Sequence, residues 1–464
     1  MTDVLAPATR RTAPPPPRAA ALPVPSPGRL LGSDVVAVVA CLAMVTTGMW
    51  STHGGLAALF DGWVPAWTSV AQITGLLASL AGVVGLVLVA RPRSLERRYG
   101  LGRLFIWHRY LGESLAVLVG LHVAASVVAW SSGTGVWTAV ADLTGREPYL
   151  AAATVGAGLV AIVTVSSLRS VRRRLAYETW YFVHLLAYLA LALAFAHEVV
   201  LGGDLADDAV ARWFWIALHV TVLAWLLAGR WGRLLLAATR PLTVTSVTPV
   251  GPGTVSIRLA GPHLSRFEAD AGQFFYLRPL VLRLWWQAHP YSLSAAPTTA
   301  GLRFTIKDRG DASAATTHLV PGTRVVVEGP YGVSTPAALG DRKVLLVAGG
   351  VGIALARSLL ERLGPEHQPV VLYRARSERD LVHLDELQRL AAARNGTVLT
   401  LVGRTVTLAV PDPFAPSVLR SAVPDVADRT AVVCGPETLL HAGRRGLLAA
   451  GVPADRIHVE RPWW

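Results

Sequence analysis

Charge is scarce in this chain and lysine is nearly missing: 16% of its 464 residues are charged, 52% are hydrophobic, and the only lysines are Lys307 and Lys343. Arginine carries the positive charge instead, which reads as the codon bias of a high-GC bacterial genome. The two cysteines, Cys41 in an apolar run and Cys434 in the more polar half, exclude a disulfide-stapled scaffold and suit a reducing compartment for the second half. A formal net charge of +13 does not make the chain a nucleic-acid binder, because much of the excess sits in short loops between apolar segments. Residues 1–32, with Pro14–Pro17 and Arg10, Arg11 and Arg18, have too little apolar surface for a core and read as a disordered tail. Prolines part those arginines from the first apolar run and no convincing cleavage site follows, so a signal peptide is not expected.

What the chain has in excess is long apolar runs. Six of them, at about 33–50, 66–90, 104–130, 149–168, 178–197 and 211–237, approach the roughly 20 residues a membrane-spanning helix needs. Arginines cluster between the second and third (Arg91, Arg93, Arg97, Arg98, Arg103) and between the fourth and fifth (Arg169, Arg172, Arg173, Arg174). On the other side, residues 51–65 have no Lys or Arg, residues 131–147 have only Arg146, and residues 198–210 are acidic through Glu198, Asp204, Asp207 and Asp208. The positive-inside rule then predicts a multi-pass protein of a bacterial cytoplasmic membrane with both termini cytoplasmic.

Ionisable side chains inside such segments are costly and mark function. The third segment holds His108 and His122, the fifth His184 and His197. Both segments run outward, so His108 and His184 form an inner layer and His122 and His197 an outer one, about 20 Å apart at 1.5 Å per residue. Two imidazoles per layer are the ligand set for two metal centres, read here as two b-type haems. The 14-residue spacing returns to within about 40° of one face of a helix, whereas the 13-residue spacing misses by about 140° and requires an irregular turn or different approach angles. His219 in the sixth segment has no partner in its own helix and is assigned to packing or a propionate contact. Arg109 could neutralise an inner propionate, snorkel to the cytoplasm or pair with Glu113.

After Pro241 the rhythm changes. LTVTSVTPVGPGTVSIRL reads as two strands about Gly251–Gly253, and short strands follow near 272–278, 289–294, 302–307 and 323–328, the pattern of a small antiparallel barrel. Within it, HPYSLSAAP offers the Tyr291 ring to a flat heterocycle and the Ser292 and Ser294 hydroxyls to a ribityl or phosphate group. From Arg342 onward, all-apolar strands alternate with helical patterns, which predicts a doubly wound parallel sheet. Gly349-Gly350-Val351-Gly352 follows its first strand, where backbone amides can approach a pyrophosphate. Arg374 and Arg376 follow the second strand, where an arginine fork suits a 2′-phosphate and favours NADPH over NADH.

Taken together, the histidine spacings, HPYSLSAAP, EGPYG at Glu328–Gly332, GGVG, CGPE at Cys434–Glu437 and the terminal HVERPWW resemble the ferric reductase and NADPH oxidase superfamily of membrane flavocytochromes. The resemblance implies a six-helix transmembrane bundle (33–238), an antiparallel β-barrel FAD domain (239–336) and an α/β nucleotide-binding domain (337–464). It implies that His289, Pro290, Tyr291, Ser292 and Ser294 hold FAD, with Lys307 and Ser313 near its phosphates. By the same resemblance Gly349, Gly350 and Gly352 carry the NAD(P)H pyrophosphate, Cys434, Gly435 and Pro436 lie near the nicotinamide, and Trp464 covers the flavin until nicotinamide arrives. The chain departs from the family at Ala354-Leu355, where Thr-Pro is usual, and at Pro462, where an aromatic is, so Trp463 is the alternative cover. The expected activity is electron transfer from cytoplasmic NAD(P)H through FAD and two haems to an outer-face acceptor, a ferric chelate or O2. The rivals are an electron-donor subunit serving a membrane or periplasmic protein, and a transporter using the histidines as a proton relay.

Overall fold

A computed structural model describes residues 32–90, 93–133, 135–145, 148–282, 284–403 and 412–460. Residues 1–31, Arg91, Arg146, Pro462, Trp463 and Trp464 lie outside the described residues. The chain divides into two compact units, Ser26–Thr239 with Tyr331–Val333, and Arg240–Pro330 with Ser334–Trp464.

The first unit is helical. Six helices are long and apolar enough to cross a membrane: α1 (Gly32–Thr52), α2 (Trp63–Val89), α3 (Arg93–Trp130), α4 (Pro148–Ser167), α5 (Tyr177–Leu201) and α6 (Ala209–Leu226), the last continuing through a π-turn at Leu227–Gly232 to Arg233–Ala238. Three features depart from the sequence expectation. Gly100 breaks α3 with φ 72°, a conformation open to a residue without Cβ, and so separates an arginine-bearing first segment from the span. A short helix, Val136–Gly145, occupies what reads as an outer loop. Glu198 belongs to α5 and not to the acidic loop after it. Asp208 caps α6, its Oδ1 accepting from Val210 N at 2.7 Å and Ala211 N at 3.3 Å, and these two backbone bonds hold its carboxyl below the usual range. Trp50, Leu76, Leu80 and Trp215 of α1, α2 and α6 form a buried cluster with Leu205 of the short helix Gly203–Ala206.

The second unit carries two sheets. In the first, β1 (Leu242–Gly251), β2 (Thr254–Ala260), β3 (Phe274–Pro279), β4 (His289–Ser292), β5 (Leu302–Lys307) and β6 (Arg324–Tyr331) lie in the order β4-β3-β6-β1-β2-β5. A bridge between Leu293 and Phe304 joins the two ends, so the sheet closes into a barrel. Alternate strand positions fill its core, with Phe275 set edge-on to Phe267 and Phe304 at centroid distances of 5.4 and 6.1 Å. The second sheet is wholly parallel, in the order β11-β10-β7-β8-β9: β7 (Val344–Gly349), β8 (Val370–Ala375), β9 (Thr397–Val402), β10 (Thr430–Cys434) and β11 (Ile457–Glu460). Helices α7 (Ile353–Leu360), α8 (Leu384–Ala392) and α9 (Glu437–Ala449) connect or flank its strands. Order reverses between β7 and β10, which creates a crevice at the carboxyl ends of those two strands, the position where such sheets bind ligands.

Candidate functional site

Both histidine layers come together in the helical unit. The rings of His108 and His184 lie with centroids 6.0 Å apart, and those of His122 and His197 also 6.0 Å apart. Two metal–imidazole bonds of about 2 Å each, together with the two half-rings, span close to that separation. His122 Nδ1 meets the Ala71 carbonyl at 2.8 Å and His197 Nδ1 the Ala194 carbonyl at 2.5 Å. An Nδ1–H held by a carbonyl leaves Nε2 as the lone-pair nitrogen, the tautomer a metal requires. The buried Nδ1 atoms of His108 and His184 have no hydrogen-bond partner among the described residues. The residues therefore fit a bis-imidazole haem in each layer, with the outer pair the more firmly aimed.

The 13-residue mismatch is taken up by side chains, because α5 runs unbroken from Tyr177 to Leu201. His184 stacks on Trp180 (5.0 Å, 26°), itself covered by Arg172, while His197 folds back on its own helix at Ala194. Glycines of α2 face both layers. A Cβ at Gly75 would stand 2.9 Å from His122 Nδ1, and one at Gly85 would stand 3.6 Å from His108 Nδ1. Arg109 pairs with Glu113 at 3.4 Å, both largely exposed. His219 is not isolated: its Nδ1 meets the Trp215 carbonyl at 2.9 Å and its Nε2 the Ser79 hydroxyl at 3.1 Å.

In the barrel, β4 presents His289, Pro290, Tyr291 and Ser292, all half-buried, antiparallel to β3. Tyr291 donates to Thr316 at 3.5 Å, and burial pushes its phenol up. His289 Nε2 meets Gln287 Oε1 at 2.9 Å. The Ser294 hydroxyl is fully buried and has no partner among the described residues, an orphan that a bound polar group would satisfy. Lys307 forms an ion pair with Asp380 at 2.8 Å, and Ser313 closes a turn by accepting from Arg309 N at 2.7 Å.

At the crevice of the parallel sheet, Gly349 ends β7 and Gly350–Gly352 form a 3-10 turn into α7. A Cβ at Gly352 would fall 2.6 Å from the Cys434 carbonyl, and Gly435 packs back on Gly349. The backbones of the two turns approach closely, leaving amides at the turn surface for a ligand. Cys434 Sγ is buried and donates to the Gly352 carbonyl at 3.1 Å; burial, then the Glu460 carboxyl, pushes the thiol up to about 12, which keeps it protonated. Arg374 Nη1 donates to the Ala375 and Leu401 carbonyls at 2.6 and 3.0 Å, whereas Arg376 is exposed.

Three groups of residues escape a reading of the sequence. Glu460 accepts from Ser334 at 2.5 Å, and burial raises its carboxyl beside Cys434; its place in HVERPWW was the available signal. Arg357, Glu386, Arg303 and His383 form an ion network between barrel and parallel sheet, with Arg357 Nη1 on the Ser294 carbonyl at 2.7 Å and Arg303 Nη1 on Glu386 at 3.1 Å. In α5, Glu198 Oε2 accepts from Ser79 at 2.8 Å and Trp215 Nε1 at 2.9 Å. No local signal exposes the last two, whose partners are distant in sequence.

Residues 74–195 match the family described as ferric reductase like transmembrane component, and residues 241–335 match an FAD-binding domain. The ferredoxin reductase component of 3-ketosteroid-9-alpha-monooxygenase from Mycobacterium tuberculosis is 32% identical over 201 residues, 42% of this chain and 55% of that protein. Ferric reduction oxidase 7, chloroplastic, of Arabidopsis thaliana is 25% identical over 312 residues, 61% of this chain and 39% of that one. Ferric reductase transmembrane component 3 of Saccharomyces cerevisiae is 24% identical over 256 residues, 53% and 33% of the two chains. The chain thus spans about half the length, or less, of these relatives. With a ferric-reductase-like transmembrane component followed by an FAD-binding domain, the chain matches the ferric reductase and NADPH oxidase superfamily of oxidoreductases.

Proposed function

We propose that the protein carries electrons from cytoplasmic NAD(P)H across a bacterial membrane, through FAD and two b-type haems, to an acceptor on the outer face. The observation that carries this reading is the pair of histidine couples, each with ring centroids 6.0 Å apart. When bound, the flavin converts a two-electron hydride donor to one-electron steps and the haem irons relay single electrons. The chain's own part is to hold and orient. Tyr291 of β4 and the orphaned Ser294 hydroxyl just after it would hold the flavin, while the glycine turns at Gly349–Gly352 and Cys434–Pro436 would admit the dinucleotide. Glu460, its carboxyl raised by burial, lies beside the Cys434 thiol. Arg376, exposed just after β8, would take a 2′-phosphate, which favours NADPH. Trp464, or Trp463, is assigned to cover the flavin.

The acceptor is a ferric chelate or O2. The donor-subunit alternative draws on the Mycobacterium tuberculosis relative, named as a reductase component. Purified protein reduced with NADPH tests the reading: about two low-spin b-type haems per chain are expected in the optical difference spectrum. A haem-free protein would overturn it. Fast turnover with small acceptors would remove the donor-subunit alternative.

A further inference from the structure

An acidic side chain in a membrane span calls for a reason, and Glu198 has one in its neighbours. It directly follows His197, and its Oε2 accepts from Ser79 of α2 at 2.8 Å and from the indole of Trp215 of α6 at 2.9 Å. Two donors from two different helices thus converge on one carboxyl oxygen at ordinary hydrogen-bond distances. Trp215 is fully buried, and its carbonyl takes His219 Nδ1 while His219 Nε2 closes on Ser79 at 3.1 Å. The outer end of α5 is thereby tied at one residue to two other helices.

The tie falls where it is needed. On a regular helix His197 points about 140° away from His184, so the two can serve facing layers only if the rotation of α5 is fixed at the outer end. Helix α2 is the shared reference: its Ala71 carbonyl holds His122 at 2.8 Å, and its Ser79 holds Glu198. We propose that Glu198 is a positioning residue for the outer haem, acting through Ser79 and Trp215 to set the aim of His197. This rests on the haem reading above. It also gives His219 its part, as the brace behind Ser79 and Trp215.

The test uses the full-length protein, purified as Glu198→Ala, Glu198→Gln and Trp215→Phe, with haem counted against FAD and low-spin haem signals recorded by electron paramagnetic resonance. Glu198→Ala is expected to fall from about two haems per chain to about one, keeping the inner signal. Glu198→Gln retains an acceptor oxygen of the same reach and is expected to keep both haems with the wild-type outer signal. Trp215→Phe removes one donor with little change of ring packing and is expected to keep both haems with a shifted outer signal. An unshifted outer signal in Glu198→Ala or Trp215→Phe, loss of the outer haem in Glu198→Gln, or equal loss of both haems in Glu198→Ala would overturn the proposal while leaving the haem reading intact. A wild-type protein with fewer than two haems would instead overturn the haem reading itself, and this proposal with it.

Discussion

Arg374 and Arg376 flank the end of β8 but spend their guanidinium groups differently. Arg374 is held on two backbone carbonyls, while Arg376 stands exposed. A charge-assisted phosphate contact is worth about 1.5–3 kcal/mol, roughly a tenfold to hundredfold preference. Arg376→Ala is therefore expected to raise the KM for NADPH by about that factor and leave NADH little changed, whereas Arg374→Ala loosens the strand end and affects both. Equal effects of Arg376→Ala on the two cofactors would remove its phosphate role. His383 is a second residue-scale case. Burial, then the Arg303 charge, lowers its imidazole to about 4. The unfolded chain takes up that proton near pH 6.5 and the folded chain only near pH 4, so stability is lost as pH falls through this window, by on the order of 2–3 kcal/mol. Glu386 adds to the loss lower down. Burial raises its carboxyl, but Arg303 and Arg357 outweigh that and hold it at about 2, so its contribution is present above about pH 4.5 and disappears toward pH 2. His383 sits at φ 62°, which asparagine tolerates. His383→Asn should flatten the decline between pH 6.5 and 4 when unfolding is followed by flavin fluorescence; an unchanged decline would assign it to other groups.

Among elements, α2 makes the sharpest contrast. A Cβ at Gly75 would crowd the His122 ring at 2.9 Å, which forces the ring to move, while a Cβ at Gly85 meets His108 at an ordinary 3.6 Å. Gly75→Ala is expected to lower haem content from about two per chain toward one, and Gly85→Ala to keep both; haem stoichiometry decides, and equal behaviour would show that neither glycine makes room for a ligand. At the other sheet a Cβ at Gly352 meets the Cys434 carbonyl and the Gly435 amide, backbone that cannot yield. Gly352→Ala should therefore abolish flavin reduction by NADPH while chemically reduced flavin still passes electrons on. These elements were readable because their periods are local: β1 and β2 about Gly251–Gly253, all-apolar β7 before its glycines, and the six apolar runs. The helix Val136–Gly145 was not readable, being too short for a clear period. The inclusion of Glu198 in α5 was masked because a charge at the end of an apolar run reads as a boundary, and its partners Ser79 and Trp215 lie elsewhere in the sequence.

At the scale of the whole molecule, order along the chain carries more than any one motif. GGVG or HPYSLSAAP alone fits many proteins, but paired intramembrane histidines, a barrel and a parallel sheet in succession are the parts that the proposed electron route requires. The network around Arg357 and Glu386 shows what such order leaves out, since contacts between barrel and sheet depend on which surfaces meet and not on local pattern. Direction itself comes from arginine placement: both arginine-rich loops lie on the side of the span ends nearer His108 and His184, and so does the start of the second unit after α6. The protein is expected to take electrons on that side and release them on the other. In inverted membrane vesicles, NADPH added outside should then be oxidised only when an impermeant acceptor such as ferricyanide is trapped within. Sealed right-side-out vesicles should ignore external NADPH, yet reduce external ferricyanide once NADPH is loaded inside. His122→Ala should abolish transfer in both preparations while leaving flavin reduction by NADPH intact, because the outer layer is the last station on the route. Oxidation of external NADPH by right-side-out vesicles would reverse the orientation drawn from the arginines, and transfer surviving His122→Ala would remove the outer histidines from the path.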